Sequence, residues 1–136
     1  MDNRAAVERL LLIALGGAIG TVLRYLTSDV AARWLGVDFP YGTLIVNLVG
    51  SFLIGLVHQI GIETLVLPDS MRLFLTTGVM GGLTTYSTFS YETIRLLEAR
   101  AWADAGINVA ATTGSCLTLC FLGIVAGRLL LDGWSS

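Results

Sequence analysis

The chain has 136 residues, of which 54% are hydrophobic and only 13% charged, with a formal net charge of −2. Its mean hydropathy is +0.77, and globular chains average nearer about 25% charged residues, so the composition excludes an ordinary soluble domain and points to the bilayer. Eight arginines and no lysine face ten acids, and no basic tract offers a surface for nucleic acid.

Four apolar segments follow in chain order, each with about the 20 residues that a bilayer crossing requires. The first covers about 10–28 and holds Arg24 within a turn of its end, where an arginine can snorkel or turn inward. No small-residue cleavage site and soluble domain follow it, so it does not read as a signal peptide. The second, about 41–62, has no ionisable group except His58, which falls at its end and reads as interfacial. Asn47 lies mid-segment with Thr43 and Ser51 four residues to either side, so the three share one helix face. An amide at that depth reads either as an interhelical hydrogen bond or as part of a polar path.

The third segment, about 71–97, is the unusual one. Gly78, Gly81 and Gly82 precede a stretch in which seven of the eight positions from Thr84 to Tyr91 carry a hydroxyl. Glycines loosen a helix, and backbone leaving the helix at membrane depth must be buried in protein or meet a watery cavity. A helix broken near its middle, lining a path, is one reading; a tightly packed helix rich in small residues is the other. The fourth segment, about 105–127, is uncharged, and Asn108, Thr112 and Ser115 at i, i+4, i+7 form a second polar stripe. Cys116 and Cys120, four apart among apolar neighbours, read as small core residues. Short connections near 34–40, 63–70 and 98–104 make the helices antiparallel neighbours, so residues 1–136 read as one all-α, four-helix transmembrane domain.

Small residues recur four apart at Gly16 and Gly20, Ser51 and Gly55, Gly78 and Gly82, and Gly123 and Gly127, a spacing that lets helices approach closely. Arg4, Arg9, Arg72 and Arg128 fall on one side of the membrane, and Arg24, Arg33, Arg95 and Arg100 on the other. Four against four leaves the positive-inside rule nothing to act on, which predicts insertion both ways and an antiparallel dimer. Nothing resembles a nucleophile elbow, a phosphate loop or a metal motif, so an enzyme is not expected. The two polar stripes and the aromatics Tyr86 and Phe89 instead suggest a narrow track of N–H, O–H and ring-edge groups, chemistry that suits a small anion.

These residues carry a resemblance. GGLTTYSTFSYET resembles the signature GGLTTFSTFSxE of the Fluc/CrcB fluoride channels, and GGAIGTVLRY and YGTLIVNLVGSFLIG are similar to that family's first and second helices. The resemblance implies a fluoride-selective channel that exports the anion passively from the cytoplasm. It implies a dual-topology antiparallel homodimer in the lipid bilayer of the cell membrane, with two pores and a structural sodium ion at its centre. The sodium ligands would be main-chain oxygens of Gly81 and Thr84 from both subunits. Tyr86 and Phe89 would be the pore aromatics, Asn47 the pore asparagine, Arg24 the vestibule arginine, and Ser87 and Thr88 the third-helix hydroxyls. Glu92 matches the family's acid just past the aromatic pair, and Tyr86 stands where the common pattern has phenylalanine. The alternative from another class is a small four-helix proton-coupled multidrug transporter. That chemistry needs a carboxylate in a membrane core, and none lies between Leu10 and Leu23 or in the cores of the other segments.

Overall fold

In the computed structural model residues 3–63 and 67–134 are described, and among them every regular element is helical. Helix α1 (Asn3–Leu35) ends where Gly36 takes φ +90°, a left-handed conformation that glycine adopts without steric cost. Pro40 then opens the first turn of α2 (Tyr41–Glu63), its carbonyl accepting from Leu44 N–H at 3.1 Å. The expected 63–70 connection includes residues 64–66, which lie outside the described residues.

From Pro68 the chain runs as α3 (Asp69–Leu73), continues as a π-helix over Phe74–Met80 and closes with one turn, α4 (Gly81–Leu83). Thr84 and Thr85 are extended, at φ −81°, ψ 154° and φ −153°, ψ 112°. Helix α5 (Tyr86–Glu98) restarts behind the Thr85 side chain, and α6 (Trp102–Trp134) follows a short turn. That turn is a Schellman arrangement: Arg100 N–H donates to Leu97 O and Ala101 N–H to Leu96 O, with Arg100 at φ 59°.

Among the described residues three helices are long and apolar enough to cross a membrane: Asn3–Leu35, Tyr41–Gly61 and Trp102–Gly133. The first and last outrun the expected 10–28 and 105–127 at both ends. Hydropathy marks the apolar part of a helix, whereas Arg4, Arg9, Arg33 and Asp104 continue the backbone ladder beyond it. Helix α1 packs on the π-helix and α4, and α6 packs on α2. Glycine sets both crossings. A Cβ at Gly20 would run into the Val79 carbonyl and one at Gly82 into the Gly17 carbonyl. Across α2 and α6, Gly55 abuts the Cys120 carbonyl and Gly123 the Phe52 carbonyl.

The buried core is small: Val46, Val79, Met80 and Leu83, with Leu53, Ile54 and Phe74 against it. Many large apolar side chains, among them Leu11, Leu15, Val22, Leu117 and Phe121, face outward. Lipid tails are as apolar as these side chains, so burial between helices gains little there; close backbone packing at the glycines decides the fold.

Candidate functional site

The face of α2 bearing Thr43, Asn47 and Ser51 is turned toward α5, as their spacing predicts. Thr43 Oγ1 donates to Glu92 Oε1 at 2.9 Å, and Ser51 lines a cleft together with Tyr86 and Phe89 of α5. Asn47, 9% exposed, makes two bonds to one residue. Its Oδ1 accepts from Thr85 N–H at 2.8 Å, and its Nδ2 donates to Thr85 O at 3.1 Å. In a continuing helix the Thr85 N–H would return to the Gly81 carbonyl. Asn47 takes it instead, and with it both backbone groups of an extended residue that would otherwise be buried unpaired.

Local hydroxyls complete the two extended residues. Thr84 Oγ1 donates to Met80 O at 2.9 Å, and its methyl sits where a Cβ on Gly50 would be. Thr85 is the N-cap of α5: its Oγ1 accepts from Thr88 N–H at 3.2 Å and donates to Thr88 Oγ1 at 2.9 Å. Among the described residues the N–H groups of Tyr86 and Ser87 find no such partner, so the electropositive end of α5 stays open.

Beside these groups lies a cleft of about 380 Å³ between α2, the Thr84–Thr85 step, α5 and α6. Of the expected residues it brings together Asn47, Thr84, Tyr86, Phe89 and Thr112. The Tyr86 and Phe89 rings are 5.5 Å apart at 51°, the first 80% exposed and the second buried. No charged residue among those described lines the cleft.

Other expected residues stand elsewhere. Asn108 lies behind Phe89: its Nδ2 donates to Thr93 Oγ1, which donates to Phe89 O, while Thr112 Oγ1 donates to Asn108 Oδ1. This chain ties α5 to α6. Ser115 is exposed and outside the cleft, because the face of α6 continues by fours from 108 and 112 to Cys116, which does line it. The i+4 spacing was the signal that could have found Cys116. Ser87 is exposed, 3.5 Å from Thr85 Oγ1, and Thr88 serves the cap. Arg24 is half-buried on α1 without a hydrogen bond or ion pair among the described residues, and does not reach the cleft. Gly81 is exposed at the end of the helical run.

Glu92 lines two smaller cavities of about 220 and 230 Å³ beside the α1–α2 link. One carboxylate oxygen is held by Thr43, and the other is sealed from solvent with no partner among the described residues.

Comparison with known proteins finds one matching family, described as CrcB-like protein, Camphor Resistance (CrcB), over residues 11–124. Among curated relatives, the Fluoride-specific ion channel FluC of Sorangium cellulosum (strain So ce56) is 49% identical over 127 residues, covering 93% of this chain and all of the relative. The protein of that name from Geobacter sp. (strain M21) is 47% identical over 124 residues, 91% of this chain and 100% of its own. That from Geobacter metallireducens is 49% identical over 118 residues, 87% and 95% of the two chains.

Proposed function

The chain belongs to the CrcB family of fluoride channels, and from that premise we propose that it is a fluoride-selective channel, passively exporting fluoride across the bacterial cell membrane. As a member of an ion-channel family it is not an enzyme. The observation that carries the reading is the cleft itself. Asn47, the open N-terminus of α5 and the tilted Tyr86–Phe89 pair converge there, and all that polarity comes without an ionised side chain. Hydrogen-bond donors, a helix dipole and the electropositive rims of aromatic rings hold a small anion, yet weakly enough for it to leave.

We read the run from Asp69 to Glu98 as the third of four crossings in one transmembrane domain, interrupted at Thr84–Thr85. On this reading Asn47 serves the path in two ways. It pins the interruption open, and its Nδ2 keeps a second N–H for the anion. Arg24 draws anions toward the path, and Ser87 and Thr88 hold the start of α5 in place.

The Gly81 and Thr84 carbonyls are the sodium ligands in this proposal. The donor set fits: interruption of the helix leaves both oxygens without their i+4 amide, since Thr85 N–H goes to Asn47 and Thr88 N–H to Thr85 Oγ1. Hard cations take such oxygens, and a second, antiparallel copy would double the set to four. A bound sodium ion would contribute fixed positive charge and pin the two copies together at that point. One cleft open along its side also favours pairing, since a single copy of this size does not enclose a path.

The test is efflux from liposomes holding the purified protein. Fluoride should leave rapidly while chloride stays. Equal release of the two halides, or none of either, would reject the proposal.

A further inference from the structure

The Tyr86 side chain carries a polar atom that nothing among the described residues satisfies. It lines the cleft at 80% exposure, and its ring rests against Phe89. Its carbonyl accepts from Ser90 Oγ, but the phenol hydroxyl has no partner among the described residues. Nearby hydroxyls contrast with it: those of Thr84, Thr85, Ser90 and Thr93 all donate within the chain. The side chain is exposed, so its hydroxyl is open to an acceptor from beyond the described residues.

The surroundings say what kind of group that is. The spare Asn47 N–H and the Tyr86 amide at the cleft, with the Ser87 amide next along α5, are donors without an acceptor among the described residues. Several donors beside a cleft that no described carboxylate lines call for an acceptor from elsewhere, and a small anion accepts on every side. We propose that the Tyr86 hydroxyl donates a hydrogen bond to the permeating anion and thereby sets the affinity and halide preference of the path. The inference rests on the fluoride-channel reading and goes beyond ring-edge contacts. Fluoride, the hardest halide and the strongest acceptor, gains more from an O–H donor than chloride does, so the hydroxyl acts as a selectivity element.

A hydroxyl that merely bonds a carbonyl of a second copy would affect assembly but not halide dependence, and this separates the two roles. Currents through the reconstituted protein should be measured against fluoride and chloride concentration for the parent, for Tyr86→Phe, and for O-methyltyrosine at position 86. The last keeps the oxygen and removes the donor. Both changes should raise the half-saturating fluoride concentration about tenfold, the low end for a hydrogen bond to a charged partner. Both should lower fluoride-over-chloride preference, with the oligomer unchanged by light scattering. If both variants keep the parent's half-saturation and preference, this inference is overturned while the channel reading stands. A parent that passes no fluoride overturns both.

Discussion

Asn47 has two functional atoms, and each is committed to the backbone of Thr85. Truncation to alanine strands a buried N–H and a buried C=O, each costing about 1–3 kcal/mol. Asn47→Ala should therefore destabilise the folded protein by roughly 2–5 kcal/mol in denaturing-detergent titrations. Asn47→Asp keeps the acceptor for Thr85 N–H, so it should unfold less readily than the alanine variant. It also brings a negative charge to the cleft, so its fluoride flux per folded protein should be the lower of the two. If the alanine variant is as stable as the parent, the clamp on Thr85 is not a stabilising contact. Arg100 poses the opposite case. Its φ of 59° suits glycine, and its exposed side chain has no partner among the described residues. Arg100→Gly should relieve the left-handed strain and stabilise the α5–α6 turn by about 1 kcal/mol, whereas Arg100→Ala should not. A fall in unfolding temperature for the glycine variant would contradict this.

At the scale of elements, the crossings of α1 with the third helical run and of α2 with α6 depend on glycines facing carbonyls. Gly123→Val should push α6 off Phe52 and prevent folding, with little protein recovered after purification. Gly106 on the same helix has nothing within 4 Å of an added Cβ, so Gly106→Ala should be neutral or stabilise by up to about 1 kcal/mol. Much of this was legible in the sequence: hydropathy found the long helices, and four-residue spacing found Gly16, Gly20, Gly55, Gly78, Gly82 and Gly123 at contacts. The shared face of Thr43, Asn47 and Ser51 was legible for the same reason, since helical period is a local property. What was hidden is non-local. Asn47 and Thr85 are 38 positions apart, and no spacing rule says which backbone a buried amide will serve. Asn108 shows the same limit: the stripe was real, but its amide turned to Thr93 rather than to the cleft. Ser115 marks a phase error, since a face read at i+7 drifts from one read at i+8 until a serine points outward and Cys116 points in. The π-helix left no mark in composition, because Phe74–Met80 contains nothing an α-helix would refuse.

For the whole molecule, the two ends are now defined by contacts. Gly42 lies against Ser28, and Glu92 against Thr43, at the end that holds Arg33, Arg95 and Arg100. Gly61 meets Arg72, and Gly127 meets Gln59, at the end that holds Arg4, Arg9 and Arg128. Trp34 and Trp102, 84% and 67% exposed, both stand at the first end, where indole rings favour the headgroup layer. The arginine balance between the ends should leave insertion undecided. Single-cysteine reporters at position 3 and at position 70, placed in a variant lacking Cys116 and Cys120, should label only partly from outside intact cells. Three arginines added at one end should make that labelling all-or-none and abolish flux, with recovery on co-expression of an oppositely biased copy. Complete labelling of the unmodified chain from a single side would exclude the antiparallel pair.

The π-helix has a consequence for how this chain can change length. A π turn closes on the fifth residue where an α turn closes on the fourth, so Phe74–Met80 holds a residue that an α-helix of equal rise would not need. Deleting one of residues 75–77 would let the stretch close as an α-helix, with the adjustment passed back toward Pro68. Gly78, Gly82 and the Thr84–Thr85 step would keep their places against α1 and Asn47. The same deletion after Tyr86 would turn Phe89 and Glu92 by about 100° about the α5 axis and unseat both. The run therefore carries its slack upstream of the interruption, where a lost residue leaves the cleft intact.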